Sequence, residues 1–358
     1  TEMTDERSVA HIGSGLVMTV NGPIKSADLG VTLMHEHLQN DCSCWWNPPK
    51  ELERQHLAEG PVRIEILSEL RQDPFVNKHN IALDEVDLCI EEVGEFAKAG
   101  GRTIVDPTCR GIGRDPVKLR RIAAESGLNV VMGAGYYLAS SMPEEVARLS
   151  IDDIADQIVT EALHGTDGTD AKIGLIGEIG VSSEFTADEE KSLRGAARAQ
   201  VRTGLPLMVH LPGWFRLGHR VLDIVEAEGG ALAHTVLCHM NPSHDDWDYQ
   251  RTVAERGAFV EFDMIGMDYF YADQQVQCPS DDEVARAILR LAAAGHLDRV
   301  LLSQDVFIKM MLTRYGGNGY AFVQRHFLPR LQRHLMDAAM CDMLMTTNPR
   351  RVFDASIA

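Results

Sequence analysis

Histidine and carboxylate residues follow short apolar runs at several separate places in this chain. The first run ends in His35 and His37, which are two residues apart, so a strand would project both side chains to the same side. Four later runs end in residues of similar chemistry: Glu178, His210, His239 and Asp305. Polar side chains are costly in a buried strand unless they bind something. Four imidazoles and two carboxylates are ligands that suit zinc, and also manganese or cobalt.

Six ligands exceed the needs of one four-coordinate zinc ion. They suit two divalent cations about 3.5–4 Å apart that share a bridging carboxylate and a bridging hydroxide. Such a centre makes hydroxide available near neutral pH and polarises a carbonyl or phosphoryl oxygen. We expect Asp305 to be the catalytic residue, because it can take the hydroxide's proton and pass it to the leaving group. The predicted chemistry is hydrolysis, although each residue taken alone also fits a structural role.

Eight apolar, β-branched runs alternate with stretches long enough for crossover helices, which predicts parallel strands covered by helices. The runs are residues 31–38, 102–108, 129–137, 173–180, 205–211, 235–240, 258–263 and 299–305. In a (β/α)₈ TIM barrel, the carboxyl ends of all eight strands converge on one mouth, which would bring the six ligands together. An open doubly wound α/β sheet is the alternative, but its Gly-x-Gly-x-x-Gly signature is absent after the first strand.

The predicted barrel carries additions at its start and in its loops. Residues 1–14 are expected to be an N-terminal tail, and residues 15–358 a single hydrolase domain. A short β-hairpin is predicted between Gly15 and Gly30, turning at Asn21-Gly22. The longest insertion runs from about Asn40 to a helix predicted over residues 84–99. Because this insertion leaves the carboxyl end of the first strand, it should cover the active-site face.

Composition restricts the class of partner and the compartment. The 358 residues include 34 Lys and Arg against 53 Asp and Glu, a net charge of −19, which disfavours nucleic acid and anionic membranes. No apolar run approaches the ~20 residues needed to span a bilayer, and from the polar residues Thr1–Arg7 we expect no secretory signal. Seven cysteines, an odd number, indicate free thiols in a reducing compartment. We therefore expect a cytoplasmic protein that acts on a small molecule.

Three motifs resemble a known family. They are Met34-His35-Glu36-His37-Leu38, Ile176-Gly177-Glu178-Ile179-Gly180, and Asp305 followed by Leu312-Thr313-Arg314-Tyr315-Gly316-Gly317-Asn318-Gly319-Tyr320. As a set they resemble the phosphotriesterase family of the amidohydrolase superfamily, and within it the phosphotriesterase-related branch, some of whose members are labelled resiniferatoxin-binding proteins. The similarity extends from about Gly15 to Asp354. It implies a TIM barrel with a binuclear, zinc-type centre, and it makes a homodimer an expectation.

The resemblance also implies how the ligands divide between two ions. It assigns His35, His37 and Asp305 to a buried metal, and His210 and His239 to a more exposed one. Glu178 occupies the bridging place, where many relatives have a carboxylated lysine. A glutamate bridges without bound CO₂.

The sequence departs from the family at two further positions. Many relatives have His-Pro a few residues beyond a tyrosine pair, where this chain has Met142-Pro143. Many also have a histidine immediately before the catalytic aspartate, where this chain has Gln304. Strand alternation points Gln304 away from the barrel interior, so we expect it to affect packing rather than metal loading.

The substrate-binding residues are less constrained by sequence. Of the adjacent pair Tyr136 and Tyr137, one ring should border the pocket, and Tyr136 is taken as that ring. The other predicted substrate-binding residues are Arg314, Asp263 and Trp45. Arg314, with Lys309, could meet an anionic group or be a solvated charge; Asp263 could bind substrate or a ligating histidine; and Trp45, with Trp46, could form an apolar lid or simply pack.

The metal ligands alone do not choose the bond that is cleaved. A lactone, ester or amide is favoured, because phosphotriesters are seldom metabolites; a phosphotriester or phosphodiester is the alternative. A further alternative is a small-molecule-binding barrel that retains its metals without turnover. Asp305 argues against this last class, because a binder would have no use for a proton shuttle.

Overall fold

The structure, a computed structural model, describes residues 10–357 and is built around eight parallel strands. In chain order the strands of this part are β1 (Leu16–Thr19), β2 (Gly22–Lys25), β3 (Thr32–Leu33), β4 (Asn40–Asp41), β5 (Ala82–Leu83), β6 (Thr103–Asp106), β7 (Asn129–Met132), β8 (Ile176–Gly180), β9 (Leu207–His210), β10 (Thr235–Leu237), β11 (Phe259–Phe262), β12 (Phe270–Tyr271), β13 (Val276–Gln277) and β14 (Val300–Leu302). Eight of these, namely β3, β6 to β11 and β14, each fall inside one of the eight predicted runs.

The eight strands close into a barrel. One parallel arc has the order β3-β6-β7 and the other β14-β11-β10-β9-β8. At one seam, Gly177 and Ala134 exchange backbone hydrogen bonds of 2.7 and 3.1 Å. At the other seam, the N–H of Asp305 donates to the carbonyl oxygen of His35 at 3.2 Å. The predicted α/β TIM barrel is therefore confirmed.

Helices cover the barrel from outside. They are α1 (Leu67–Gln72), α2 (Val86–Lys98), α3 (Pro116–Ser126), α4 (Ile151–His164), α5 (Ala187–Thr203), α6 (Gly218–Ala227), α7 (Trp247–Glu255), α8 (Asp281–Ala293), α9 (Leu328–Arg333), α10 (Ala338–Asp342) and α11 (Asn348–Phe353). Ser150, Thr186 and Ser280 begin α4, α5 and α8 with capping boxes, which satisfy N–H groups that have no partner inside the helix. No helix in the described part is long and apolar enough to cross a membrane.

Strand alternation accounts for the two largest clusters of the described core. Leu33, Ile104 and Leu207 pack outward beneath the helices, in the larger cluster. Their neighbours along the strands fill the barrel interior: Met34, Val105, Val131, Leu175, Met208, Val236, Phe259 and Leu301. Both clusters are almost fully buried, so the barrel axis is packed and the polar side chains gather at the mouth.

Three local features differ from the sequence prediction or refine it. The hairpin pairs Thr19 with Gly22, so its turn residues are Val20 and Asn21, one position earlier than expected. Most of the predicted tail, residues 1–9, lies outside the described residues. Ile12, in the described remainder, donates its N–H to Gly204 at the end of α5. The long first insertion is held at its base by the antiparallel pair β4 and β5.

Candidate metal centre

The six predicted ligands come together at the carboxyl ends of five barrel strands. His35 and His37 follow β3, Glu178 lies in β8, His210 ends β9, His239 follows β10, and Asp305 follows β14. The chain bends at residues 34 and 35 directly after the short strand β3, and this bend turns it into the mouth. All six side chains are largely buried.

Glu178 lies at the centre of the cluster. One carboxylate oxygen, Oε2, is 3.4 Å from Nε2 of His35, 3.3 Å from Nδ1 of His210 and 3.4 Å from Nε2 of His239. The other oxygen, Oε1, is 3.4 Å from Nε2 of His37. Glu178 thus faces both histidine pairs, the arrangement that a shared carboxylate ligand requires.

Asp305 faces the first histidine pair and is slightly exposed to the cavity. Its Oδ1 is 3.3 Å from Nε2 of His37 and 3.6 Å from Nε2 of His35. Its Oδ2 is 3.9 Å from Nδ1 of His239. Asp305 therefore contacts residues of both predicted ligand sets.

Three of the imidazole rings are held in orientation by a contact at Nδ1, while Nε2 faces the cluster. Nδ1 of His35 is 2.9 Å from Oε1 of Glu261, Nδ1 of His37 is 2.8 Å from the Thr108 hydroxyl, and Nδ1 of His239 is 2.8 Å from Oδ1 of Asp263. A proton on each Nδ1 leaves the Nε2 lone pair aimed at the cluster, which is the tautomer that a metal ligand needs.

His210 is arranged differently. Its Nδ1 faces the cluster, 2.8 Å from Nε2 of His239, and its ring packs edge-on against Tyr137 at a centroid distance of 4.8 Å. Burial lowers the pKa of His210, and the neighbouring His239 lowers it further. A lower pKa favours the neutral imidazole, which is the form that binds a metal ion.

The supporting carboxylates were largely missed by the sequence prediction. Glu261 is fully buried in the middle of β11, between two apolar neighbours, and burial raises its pKa to about 8. Glu36, between His35 and His37, accepts hydrogen bonds from Ser303, Gln304 and the N–H of Val306. A charged residue inside an apolar strand was the available signal for Glu261.

The donor set fits a pair of divalent cations. Nε2 of His35, Oε2 of Glu178 and Oδ1 of Asp305 are buried side-chain atoms without a hydrogen-bond partner. Ligand atoms of His35, His37 and Asp305 lie within 4.8 Å of one another, as do those of His35, Glu178 and His239. The separations of 3.3–3.6 Å match the edge of a tetrahedron, about 3.4 Å, whose centre is about 2.1 Å from each corner.

Histidines and carboxylates of the cluster shift one another's pKa values. Burial alone lowers the pKa of His37, but the nearby carboxylates of Asp305 and Glu178 outweigh it and raise that pKa to about 9. Burial is likewise outweighed at His239, where Asp263 raises the pKa to about 10. The carboxyl pKa of Glu178 lies well below its usual range, because the surrounding histidines outweigh its burial. Cations placed here would replace protons.

Two of the predicted ligands have backbone conformations that are unusual for residues with a Cβ. The φ angles of His239 and Asp305 are +58° and +49°, in the left-handed region. This region costs a non-glycine residue about 1–3 kcal/mol and is concentrated at functional sites. The N–H of His239 is held by the Asp263 carboxylate at 3.0 Å, which helps to fix this conformation.

A cavity of about 730 Å³ opens above the cluster. His37, Glu178, His210, His239 and Asp305 form part of its lining. The rest is mostly apolar and includes Trp45, Phe75, Leu138, Trp214, Met264, Tyr271 and Phe307. Its volume lies in the range of small-molecule sites.

The structure places the predicted substrate-binding residues in different environments. Trp45 lines the cavity and also stacks on Phe75. Asp263 is fully buried and holds His239 rather than facing the cavity. Arg314, whose side chain is 58% exposed, pairs with Glu91 and does not line the cavity, which corrects its predicted role.

The prediction that Tyr136 borders the cavity is also wrong. Tyr136 is 2% exposed and donates its hydroxyl hydrogen to Gln157, on the side away from the cavity. Tyr137 lines the cavity instead, because successive residues in extended chain face opposite sides. Gln304 points away from the cavity, as expected: it donates to Glu36 and accepts from the N–H of Val323. Met142 is half-buried and does not line the cavity.

The comparisons with known proteins agree with this architecture. The model of the phosphotriesterase family matches residues 15–353. The chain belongs to the phosphotriesterase family. Its barrel and its clustered histidines and carboxylates are what this family of metal-dependent hydrolases would require.

Individual members of the phosphotriesterase family show how similar the chain is. A resiniferatoxin-binding protein from Rhodobacter sphaeroides is 78% identical, with a TM-score of 0.98 and 99% coverage of both chains. An N-acetyltaurine hydrolase from Salmo salar is 33% identical, over 94% of this chain and 97% of that protein. A phosphotriesterase homology protein from Escherichia coli, complexed with phosphate in its active site, is 28% identical, with a TM-score of 0.75 and coverage of 91% and 99%.

Proposed function

We propose that this chain is a metal-dependent hydrolase that cleaves a carbonyl bond of a small molecule, in a lactone, an ester or an amide. One observation carries the proposal. Six potential ligands from five strands meet at the floor of a cavity, and three of their inward-facing atoms have no partner in the protein. Buried polar atoms left without partners mark a place where a cation or a ligand belongs.

The residues divide between two cations, with zinc the first choice and manganese or cobalt possible. His35, His37 and Asp305 would hold the deeper ion, and His210 and His239 the outer one. Glu178 would be shared between them. When bound, such a pair supplies Lewis acidity, which lowers the pKa of water and withdraws electron density from the oxygen of the electrophile.

The protein's own groups then position the reactants and move the proton. Asp305 borders both the cavity and the cluster, so its carboxylate is placed to accept a proton from the attacking water. The same carboxylate returns that proton to the departing alkoxide or amine. Glu261, Thr108 and Asp263 hold three of the imidazoles in orientation during this cycle.

Two observations bear on the choice of bond. The relative from Salmo salar is named for hydrolysis of an N-acetyl compound, which contains an amide carbonyl. The protein at 78% identity is named for binding, and a large apolar cavity would also suit a binder without turnover. A non-catalytic small-molecule-binding barrel is therefore the second candidate, and phosphotriester hydrolysis is the alternative reaction.

A substrate panel separates these candidates. Zinc-loaded protein is assayed on a lactone, an aryl ester, an N-acetyl amide and a phosphotriester, beside the Asp305→Asn variant at verified metal content. We expect turnover of at least one carbonyl substrate and a loss of kcat of about 10²-fold or more in the variant. The control is Asp223→Asn, which changes an exposed carboxylate on α6. Unchanged turnover in Asp305→Asn would contradict the mechanism, and the absence of any turnover would favour the binder.

We also propose a homodimer that works in the cytoplasm without nucleic-acid or membrane partners. The net charge of −19 supports the absence of such partners, because like charges repel. Sedimentation equilibrium tests the dimer, with a mass of one chain, 39.6 kDa, as the contrary result.

A further inference from the structure

One side of the cavity is built from five aromatic side chains, which we call the aromatic wall: Trp45, Phe75, Tyr271, Phe307 and Trp214. Phe75 stacks on Trp45 and on Tyr271, with centroid distances of 5.2 Å in both cases. Phe307 packs against Phe75 at 6.1 Å, and Trp214 packs edge-on against Tyr271 at 6.1 Å. All five residues line the cavity, so the wall is continuous.

The polar atoms of the wall already have partners in the protein. The indole N–H of Trp45 donates to the hydroxyl of Tyr137 at 3.2 Å, and that of Trp214 donates to a backbone carbonyl at 3.2 Å. The hydroxyl of Tyr271 contacts the sulfur of Met267 at 3.0 Å. The wall therefore presents ring faces and edges to a ligand, rather than free hydrogen-bond donors.

Among the described residues, no lysine or arginine lines the cavity. The nearby candidates are engaged elsewhere: Lys309 is buried against the carbonyls of His79 and Ala82, and Arg314 pairs with Glu91 outside the cavity. The lining instead contains the exposed carboxylate of Glu184. Away from the metal ligands, the described lining therefore offers an anionic group no basic side chain to pair with, and the net charge of −19 opposes its approach.

We propose that this site selects neutral substrates with an aromatic or similarly bulky apolar group, and that it discriminates against substrates with an anionic group. The inference rests on the proposed function and specifies its substrate class. The apolar group would lie against the aromatic wall, with the scissile carbonyl over the metal ligands. This selectivity differs from the activity for which the N-acetyltaurine hydrolases are named, because taurine carries a sulfonate.

A matched pair of amides tests the proposal. N-benzylacetamide and 4-(acetamidomethyl)benzenesulfonate differ only in the anionic group, and N-acetyltaurine serves as a short anionic reference. Water adds to the acyl carbon, the C–N bond breaks, and acetate and the amine are released. With zinc-loaded protein, we expect kcat/KM for the neutral amide to exceed that of both sulfonates by at least about 10-fold, a ratio that 0.5 M NaCl reduces. Equal or faster turnover of either sulfonate would overturn the proposal.

Binding measured by tryptophan fluorescence keeps the two claims separate. Trp45 and Trp214 lie in the wall, so ligand entry should change their emission. If no lactone, ester or amide is turned over, the proposed function fails, yet tighter binding of N-benzylacetamide than of its sulfonate would still support the selectivity. Absence of binding by the neutral amide, or tighter binding of the sulfonate, would overturn the selectivity.

A charge reversal at the rim provides the variant. In Glu184→Lys we expect the ratio of kcat/KM for the benzenesulfonate to kcat/KM for N-benzylacetamide to rise about 3-fold or more. The matched control is Glu59→Lys, which makes the same change in net charge at an exposed position away from the cavity. An equal rise of this ratio in both variants, or no rise in Glu184→Lys, would contradict the assigned role of local charge.

Discussion

At the scale of single residues, the site depends on which nitrogen of each histidine is free. Asp263 fixes His239 by accepting from both its backbone N–H and its ring, at 3.0 and 2.8 Å. An imidazole without such a partner can rotate or change tautomer, and metal affinity then falls. The orienting groups are as fully buried as the ligands they hold, so their loss cannot be compensated by water.

Asp263→Ala should therefore lower zinc affinity by about 10- to 100-fold while leaving the six ligands unchanged in type. Competition with a chelator of known affinity measures the effect. The control is Asp268→Ala, an exposed carboxylate five residues further along the chain. Equal zinc affinity in the Asp263 variant and the unsubstituted protein would show that this carboxylate does not orient His239.

Glu178→Ala tests the shared ligand. The variant should keep the fold, because the removed side chain faces a cavity rather than the packed core, and its metal content should fall to one ion per chain or none. Elemental analysis after dialysis gives the metal content, and circular dichroism reports the fold. Two tightly held ions in a folded variant would refute the shared position of Glu178.

Metal uptake should depend on pH. In the metal-free form the pKa values of His37 and His239 are raised to about 9 and 10, so both rings hold protons at pH 7 that zinc must displace. Apparent zinc affinity should therefore increase from pH 6 to pH 8. In the metal-free protein these raised pKa values stabilise the fold fully below about 6.5, and the contribution disappears as pH rises through 9 to 10. Chelator competition between pH 6 and pH 8 measures the zinc affinity. An affinity that does not change with pH would contradict the displacement of protons from His37 and His239.

Sequence reasoning identified all six potential ligands because strand ends in a barrel converge, but it could not fix side-chain direction where regular strands stop. Tyr136 and Tyr137 lie beyond β7, where the facing depends on a local bend that the sequence pattern does not encode. Glu261 was missed for a different reason: its place in an apolar strand marks it as unusual, but its role cannot be assigned until its partner His35, 226 residues away, is placed beside it.

At the scale of elements, short strands are held in register by polar contacts as well as by packing. Arg114, which precedes α3, is an example of a buried cation that joins several elements. Its guanidinium donates to Glu161 of α4 at 2.7 Å and to Asp167 at 3.0 Å, and also to the carbonyl of Gly133 after β7. These bonds raise the pKa of Arg114, because the two carboxylates outweigh its burial.

Arg114→Met should destabilise the protein by about 2–3 kcal/mol, because it leaves the partly buried Glu161 without its partner and Gly133 without a donor. Urea unfolding monitored by circular dichroism measures this change. Arg121→Met is the control: this arginine forms exposed ion pairs with Asp87 and Glu125, and its loss should have no measurable effect. An equal change in the free energy of unfolding in the two variants would show that Arg114 does not stabilise the packing of these elements.

The alternation of strands and helices could be predicted from the sequence, because hydrophobic periodicity and capping residues are features of short local segments. All eight predicted runs contain a barrel strand. The lengths were not predictable: regular pairing in β3 ends at Leu33, although the predicted run continues to Leu38, because the chain bends at residues 34 and 35 and so directs His35 and His37 into the mouth. Function overrides local propensity at this position.

At the scale of the whole molecule, the barrel supplies a rigid frame and the loops supply the chemical character of the cavity. Membership of the phosphotriesterase family accounts for the frame. The apolar lining arises from side chains far apart in sequence, including Trp45, Phe75, Tyr271 and Phe307. Their convergence was not visible in the sequence, and only Trp45 was singled out as a candidate. The absence of basic residues from the described lining also could not be predicted from the sequence. Lys309 and Arg314 follow β14 and were expected nearer the substrate.

The central claim is that the cluster around Glu178 holds two divalent cations, and anomalous diffraction at the zinc edge from zinc-loaded crystals tests it most directly. We predict two anomalous peaks per chain, one among His35, His37 and Asp305 and one beside His210 and His239, with Glu178 in contact with both. A zinc-loaded crystal without anomalous density at this cluster would contradict the account.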